Sequence, residues 1–156
     1  MEKFDAAGWA RTLRQSAHPL LVAGQGCLTI QLGAKPLLEY AAALAGRLGC
    51  PVAATGNTVE ALRRLDGSVR AKKMWLAELF RYLEGDWREP LSAERPDLVL
   101  SVGVPAEDLR GLVAGARGVD VVHLGPGELP EARLSMGRIP LIDWERNLED
   151  LLRALG

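Results

Sequence analysis

Apolar positions along this chain come in two rhythms. Short unbroken runs alternate with longer stretches in which apolar residues recur every three or four positions. Residues 5–17 place Trp9 and Leu13 on one helical face, with Ala6, Ala10 and Ala17 beside them. Residues 19–23 then form an apolar run of strand type. Pro36 suits a first helical position, Leu37, Leu38, Ala41, Leu44, Ala45 and Leu48 make an inward stripe, and Gly49 is a natural C-terminal stop. Residues 51–55 read as a second strand. Asn57 and Glu60 have the spacing of a capping box, opening a short helix to residue 65.

A further helix is predicted over residues 70–84, where Leu76, Leu79, Phe80 and Leu83 fall on one stripe and Trp75 widens it. A polar connection with Trp87 and Pro90 covers residues 85–95. Residues 97–102 read as a strand. Pro105 opens a helix with Glu107 and Asp108 in its first turn and Leu109, Leu112 and Val113 facing inward. Strands are predicted over residues 119–124 and 139–142. Asp143 is placed as the cap of a last helix carrying Trp144, Leu148, Leu151, Leu152 and Leu155.

Strands apolar on both faces, separated by helices, define a doubly wound α/β fold: a parallel sheet of five or six strands in a three-layer, Rossmann-like arrangement. With 156 residues and neither repeat nor linker, residues 1–156 are expected to form one domain. The composition is 48% apolar and 25% charged, as in globular chains. A net charge of −1 announces no basic face, which argues against nucleic acid as a partner. No apolar run is long enough to span a bilayer, and the first fifteen residues lack the pattern of a secretory leader, so a cytoplasmic location is expected. Cys27 and Cys50 have neither disulfide-framework nor zinc spacing and are read as buried thiols near opposite ends of the sheet.

In an open parallel sheet, ligands bind at the carboxyl ends of the strands. Gly24, Gln25, Gly26, Thr55, Gly56, Asn57 and Gly103 are predicted to gather there, and they form the candidate cofactor-binding set. The loops Gly125-Pro126-Gly127 and the residue Asp143 join that edge. Turns of this kind also need small residues for their own geometry. The dinucleotide fingerprint fails: position 29 is Thr29 where a third glycine belongs, and the second strand ends in Thr55-Gly56-Asn57 rather than an acid. A diphosphate is expected at the Gly24–Gly26 amides or Lys35. Glu107 and Asp108 would repel it from the helix after Pro105. No hydrolase motif is present. His18 and His123 read as structural histidines, and Asp66, Asp86, Asp97 and Asp143 as caps and turn residues.

The segments PLLVAGQG, KPLLEYAAALAGRLGCPVAATGNT, GDW, PDLVLSVG and ARLSMGRI occur in an order that resembles the epsilon subunit of the archaeal carbon monoxide dehydrogenase/acetyl-CoA synthase complex, also called acetyl-CoA decarbonylase/synthase. Ala53 to Asn57, Asp86-Trp87 and residues 132–139 carry most of that resemblance. More distantly, the same order resembles the central domain of thiamine-diphosphate enzymes, within the DHS-like NAD/FAD-binding group of Rossmann-like folds. The resemblance implies a small, non-catalytic partner of the large nickel–iron–sulfur CO dehydrogenase subunit. It implies no metal of its own and a supporting role that extends to FAD-linked electron transfer. Residues 66–91 diverge from the family pattern, as do Gln25 and Cys27.

Three functions remain in competition: a non-catalytic complex subunit, a free-standing FAD- or nucleotide-binding domain, and a small-molecule enzyme using the same crevice. Met74 and Trp75 are expected to lie off the helical stripe that covers the sheet. An exposed apolar patch there points to a homodimer or to a larger partner.

Overall fold

The computed structural model describes residues 4–85, 87 and 94–156. Its elements are α1 (Ala6–Gln15), β1 (Pro19–Ala23), α2 (Gly26–Thr29), β2 (Gln31–Leu32), β3 (Lys35–Pro36), α3 (Leu37–Leu48), β4 (Val52–Ala54), α4 (Gly56–Leu65), β5 (Ala71–Lys73), α5 (Leu76–Glu84), β6 (Leu98–Val102), α6 (Ala106–Gly115), β7 (Asp120–His123), β8 (Leu134–Ser135) and α7 (Leu141–Leu155). Six strands pair in parallel in the order β5-β4-β1-β6-β7-β8, and β2 with β3 forms a small antiparallel hairpin beside them. The fold is the Rossmann-like, doubly wound α/β class that the alternating pattern predicts.

Both faces of the central strands are buried, so alternate residues feed two separate cores. Leu21, Ala23, Leu100 and Val102 pack with Leu13, Leu44, Leu62 and Leu148 from α1, α3, α4 and α7. Leu20, Val22 and Val99 pack with Leu79, Phe80, Leu83, Leu109 and Val113 from α5 and α6. The chain winds outward from β1 to β4 and β5, then returns to the other side of β1 as β6. The topological switch point therefore lies between β1 and β6, where ligands bind in such sheets.

Several elements differ from expectation. The predicted helix over residues 70–84 is a strand followed by a shorter helix: Ala71, Lys72 and Lys73 pair with Val52, Ala53 and Ala54. Trp75 is the residue before α5, and it is 67% exposed, whereas Met74 is buried. Residues 139–142 are not a strand. The sixth strand is β8, which pairs Leu134 and Ser135 with Val122 and His123. Helix α7 already starts at Leu141, after Pro140, so Asp143 lies in its first turn and is not its cap. Thr55 precedes α4 with no side-chain cap, and Glu60 pairs with Arg64, so no capping box forms at Asn57. The Asp86 of the Asp86-Trp87 pair and most of the expected 85–95 connection lie outside the described residues. No helix among the described residues is long and apolar enough to cross a membrane.

Candidate functional site

A cavity of about 550 Å³ opens at the carboxyl edge of the sheet, over the ends of β1, β4, β6 and β7. Such a volume is typical of small-molecule sites. Of the predicted set, Gly24, Gln25, Gly26, Thr55 and Gly103 line it; Gly56 and Asn57 do not, and are exposed at the start of α4. One wall comes from Ile30 and Trp144, the opposite wall from Met74, Leu76 and Val104. Each comes from a segment leaving a carboxyl strand end or from the first turn of the helix after it, apart from Ile30, which lies just past α2.

The glycines of the first loop have a specific packing task. Gly24 N–H donates to Val102 O at 2.8 Å and Gly26 N–H to Gly103 O at 2.9 Å. A Cβ on Gly24 would stand 2.5 Å from Gly103 O, and one on Gly26 would stand 2.8 Å from the same oxygen. Gly103 has φ +75°, and a Cβ there would lie 2.7 Å from Cys27 N. Three glycines thus let two strand-end loops lock together across the switch point, a contact no larger residue permits.

This changes the expectation for a diphosphate. The Gly24 and Gly26 amides are already spent on backbone carbonyls, and Cys27 and Leu28 donate to Gly24 O and Gln25 O. Lys35, the other expected anchor, lies outside the cavity lining. It pairs with Glu149 at 3.2 Å and sits 5.5 Å from the Tyr40 ring centroid. Neither expected anchor for a diphosphate is therefore available inside this cavity.

The polar side chains that line the cavity are those of Gln25, Thr29, Thr55, Asp108 and His123. Thr55 Oγ1 bonds Thr58 Oγ1 at 2.6 Å and reaches Gln25 Oε1 at 3.4 Å, tying the loops after β1 and β4 together. His123 is buried and held at both ring nitrogens: its Nδ1 lies 2.8 Å from Ser101 Oγ and its Nε2 lies 3.3 Å from Pro126 O. It also faces the cavity, which its place in an apolar strand concealed. The missed signal was its position as the last residue of β7, at the functional end of the sheet. Burial holds its pKa below the ordinary histidine value, although the Pro126 carbonyl favours the proton. The neutral tautomer donates from Nε2 to Pro126 O and accepts the Ser101 hydroxyl at Nδ1. Trp144 Nε1 donates to Leu124 O at 3.0 Å, which fixes the indole as a wall.

The remaining sequence candidates lie elsewhere. His18 is exposed and approaches Glu94. Asp97 accepts from Ser16 Oγ and from the Ala17 and His18 amides, holding the turn before β1. Asp66 accepts from the Ser68 amide and hydroxyl. Cys27 and Cys50 are free, buried thiols, and burial pushes them up to about 12 and about 11. No group of three or more His, Cys, Asp or Glu placed for a metal ion occurs among the described residues.

This geometry defines a Rossmann-like domain with a cavity at its switch point. No family model matches the sequence, and no curated protein matches it significantly. Two solved structures share its fold. One is a Mycobacterium smegmatis protein assigned to the thiamin diphosphate-dependent enzymes, with TM-score 0.53 and 19% identity, matching 92% of this chain and 27% of that one. The other is the thiamine diphosphate-dependent 4-hydroxybenzoylformate decarboxylase of Rhodococcus jostii RHA1, with TM-score 0.50 and 19% identity, matching 98% of this chain and 27% of that one. The chain thus spans little more than a quarter of each neighbour's length, and the likeness at this identity is one of fold.

Proposed function

We propose that this chain is a cofactor-binding accessory domain that holds the flat ring of a flavin- or adenine-type ligand at its carboxyl edge and serves a larger partner. The observation that carries the reading is the cavity at the β1–β6 switch point, walled by Ile30, Met74, Leu76, Val104 and Trp144. Apolar walls and a few placed polar groups suit a ring that is buried and oriented by hydrogen bonds. The comparison structures support the fold on which this rests.

The partner is proposed from the ordered segments that resemble the epsilon subunit: the large CO dehydrogenase subunit of a CO dehydrogenase/acetyl-CoA synthase complex. A specific observation favours a protein partner of some kind. Trp75, Leu141 and Ile142 are 67%, 59% and 64% exposed; Trp75 caps α5 and Leu141 and Ile142 open α7, the helices from which Leu76 and Trp144 line the cavity. Under this reading the chain supports redox chemistry carried out by its partner.

Flavin fluorescence titration of the purified chain tests the binding half. Saturable quenching by one equivalent of flavin is expected, and Val104→Trp, which fills the cavity from its rim, should weaken it at least ten-fold. Co-purification with the large CO dehydrogenase subunit tests the other half, and loss of the complex in Trp75→Glu is the expected control. Flavin that binds no better to the chain than to an unrelated protein would reject the cofactor assignment.

A further inference from the structure

Among the described residues, none of those lining the cavity is a lysine or an arginine. The charged group present is Asp108, in the first turn of α6 next to Glu107. That turn is the helix N-terminus at which a phosphate would ordinarily be welcomed, and two carboxylates already occupy its field. The amides of Gly24, Gly26, Cys27 and Leu28 are bonded to backbone oxygens, so the loop after β1 offers no amide nest in their place. His123 has partners on both ring nitrogens and is buried, which disfavours the cationic form that could answer an anion. In the loops after β1 and β6, the anion-binding devices common at this edge of a doubly wound sheet are thus filled or inverted in sign.

What remains favourable is a neutral ring. Ile30, Trp144 and Leu76 line the cavity with apolar surface for its faces, and the Asp108 carboxylate can accept from an N–H on its edge. Resting on the cofactor-domain reading above, we infer that the cavity selects against phosphate: it takes an uncharged, planar heteroaromatic molecule bearing an N–H donor, of the free-flavin class, in preference to its phosphorylated forms. Asp108 is the residue that sets this preference.

The test compares riboflavin, FMN and FAD by calorimetry or fluorescence at low and high salt. A dianion held beside Asp108 is expected to cost roughly ten-fold in affinity at low ionic strength, so riboflavin should bind roughly ten-fold tighter than FMN. The gap should narrow at high salt, where the repulsion is screened. Asp108→Asn should shrink the gap, and Asp108→Lys should reverse it. Circular dichroism confirms that each variant is folded. FMN or FAD binding tighter than riboflavin to the unaltered chain overturns the charge selection while leaving a cofactor domain standing. Unchanged ratios in Asp108→Lys overturn the assignment of Asp108, and riboflavin binding indifferent to Val104→Trp overturns the location. No binding of any of the three flavins defeats both this inference and the reading on which it rests.

Discussion

If the loops after β1 and β6 are locked by backbone contact, replacing Gly103 with alanine must destabilise the fold even when no ligand is present. Two costs combine there. The φ of +75° is a left-handed conformation that costs an L residue about 1–2 kcal/mol. The new Cβ would also lie 2.7 Å from Cys27 N and 2.9 Å from Cys27 Sγ, an overpacking worth about 1–3 kcal/mol. The expected total is about 2–5 kcal/mol. For a chain of this length that lowers the melting temperature by roughly 5–15 °C.

The same molecule supplies its own controls. Gly49, after α3, has φ +62° with nothing within 4 Å of an added Cβ. Gly49→Ala therefore carries the backbone strain alone, about 1–2 kcal/mol. Gly46 is exposed inside α3 and also has nothing within 4 Å, so Gly46→Ala should stabilise by up to about 1 kcal/mol. Thermal and urea unfolding of the three variants should give the order Gly46→Ala above the parent, Gly49→Ala below it, and Gly103→Ala lowest. Gly103→Ala no less stable than Gly49→Ala would refute the locked-loop argument. The glycines would then need another explanation, and a ligand approaching the backbone would be the first. Gly26→Val makes a poor substitute for this series, because its Cβ also meets Gly103 O and binding and stability would be lost together.

The remaining predictions concern titration, thiols and assembly. His123 has a folded-state pKa below its unfolded value of about 6.5, so as pH falls through that value the unfolded chain takes up a proton first; stability should decline from there until the folded pKa is reached, then level off. Urea unfolding between pH 8 and pH 5 should show this decline and His123→Gln should remove it; an identical slope in both would dismiss the histidine as its source. Cys27 and Cys50, buried and raised to about 12 and about 11, should resist alkylation in the native protein at pH 8 and give two free thiols once denatured. A native chain that reacts as fast as a model thiol would contradict that placement. Light scattering should show more than one chain at micromolar concentration, with Trp75→Glu shifting the protein to monomer. A monomeric parent with Trp75 already freely quenched by acrylamide would remove that residue from a self-association surface.

The doubly wound class was legible because it rests on burial. β1, β6 and β7 are covered on both sides, so they read as unbroken apolar runs, and α3 and α7 read as stripes because one face meets the sheet. The two edge strands were not legible for the converse reason. β5 consists of Ala71, Lys72 and Lys73, of which only the alanine is buried, and it exists because Val52 to Ala54 present free backbone groups to it. Next to the amphipathic α5, those residues looked like the helix's first turn. β8 is two residues long and is likewise defined by its neighbour. The apolar run 139–142 suggested a strand, yet Leu141 and Ile142 are exposed on the first turn of α7, and Pro140 fixes the turn that starts it. Side-chain pattern reports what a face touches; an edge strand is made by backbone pairing, which leaves a weaker mark in the sequence.

The site was half legible, and for a related reason. Sequence order places every carboxyl strand end, so Gly24, Gln25, Gly26, Thr55 and Gly103 can be gathered from the chain alone. What order cannot say is whether a glycine's amide is free. Here two of them close the β1 loop onto β6, and the feature that looked most like a phosphate cradle is a packing joint. Conversely, Asp108 looked like a helix-dipole residue and His123 like a core histidine. Both descriptions are correct, and both residues also face the cavity. A residue at the carboxyl edge of such a sheet can hold the fold and line the site with the same atoms. That dual use is why Asp108 and His123, rather than the glycines, are the positions at which ligand preference and stability can be separated by experiment. Asp108 is exposed at a helix start, where its loss should cost at most about 1 kcal/mol, while a charge reversal there changes the field on any ligand in the cavity.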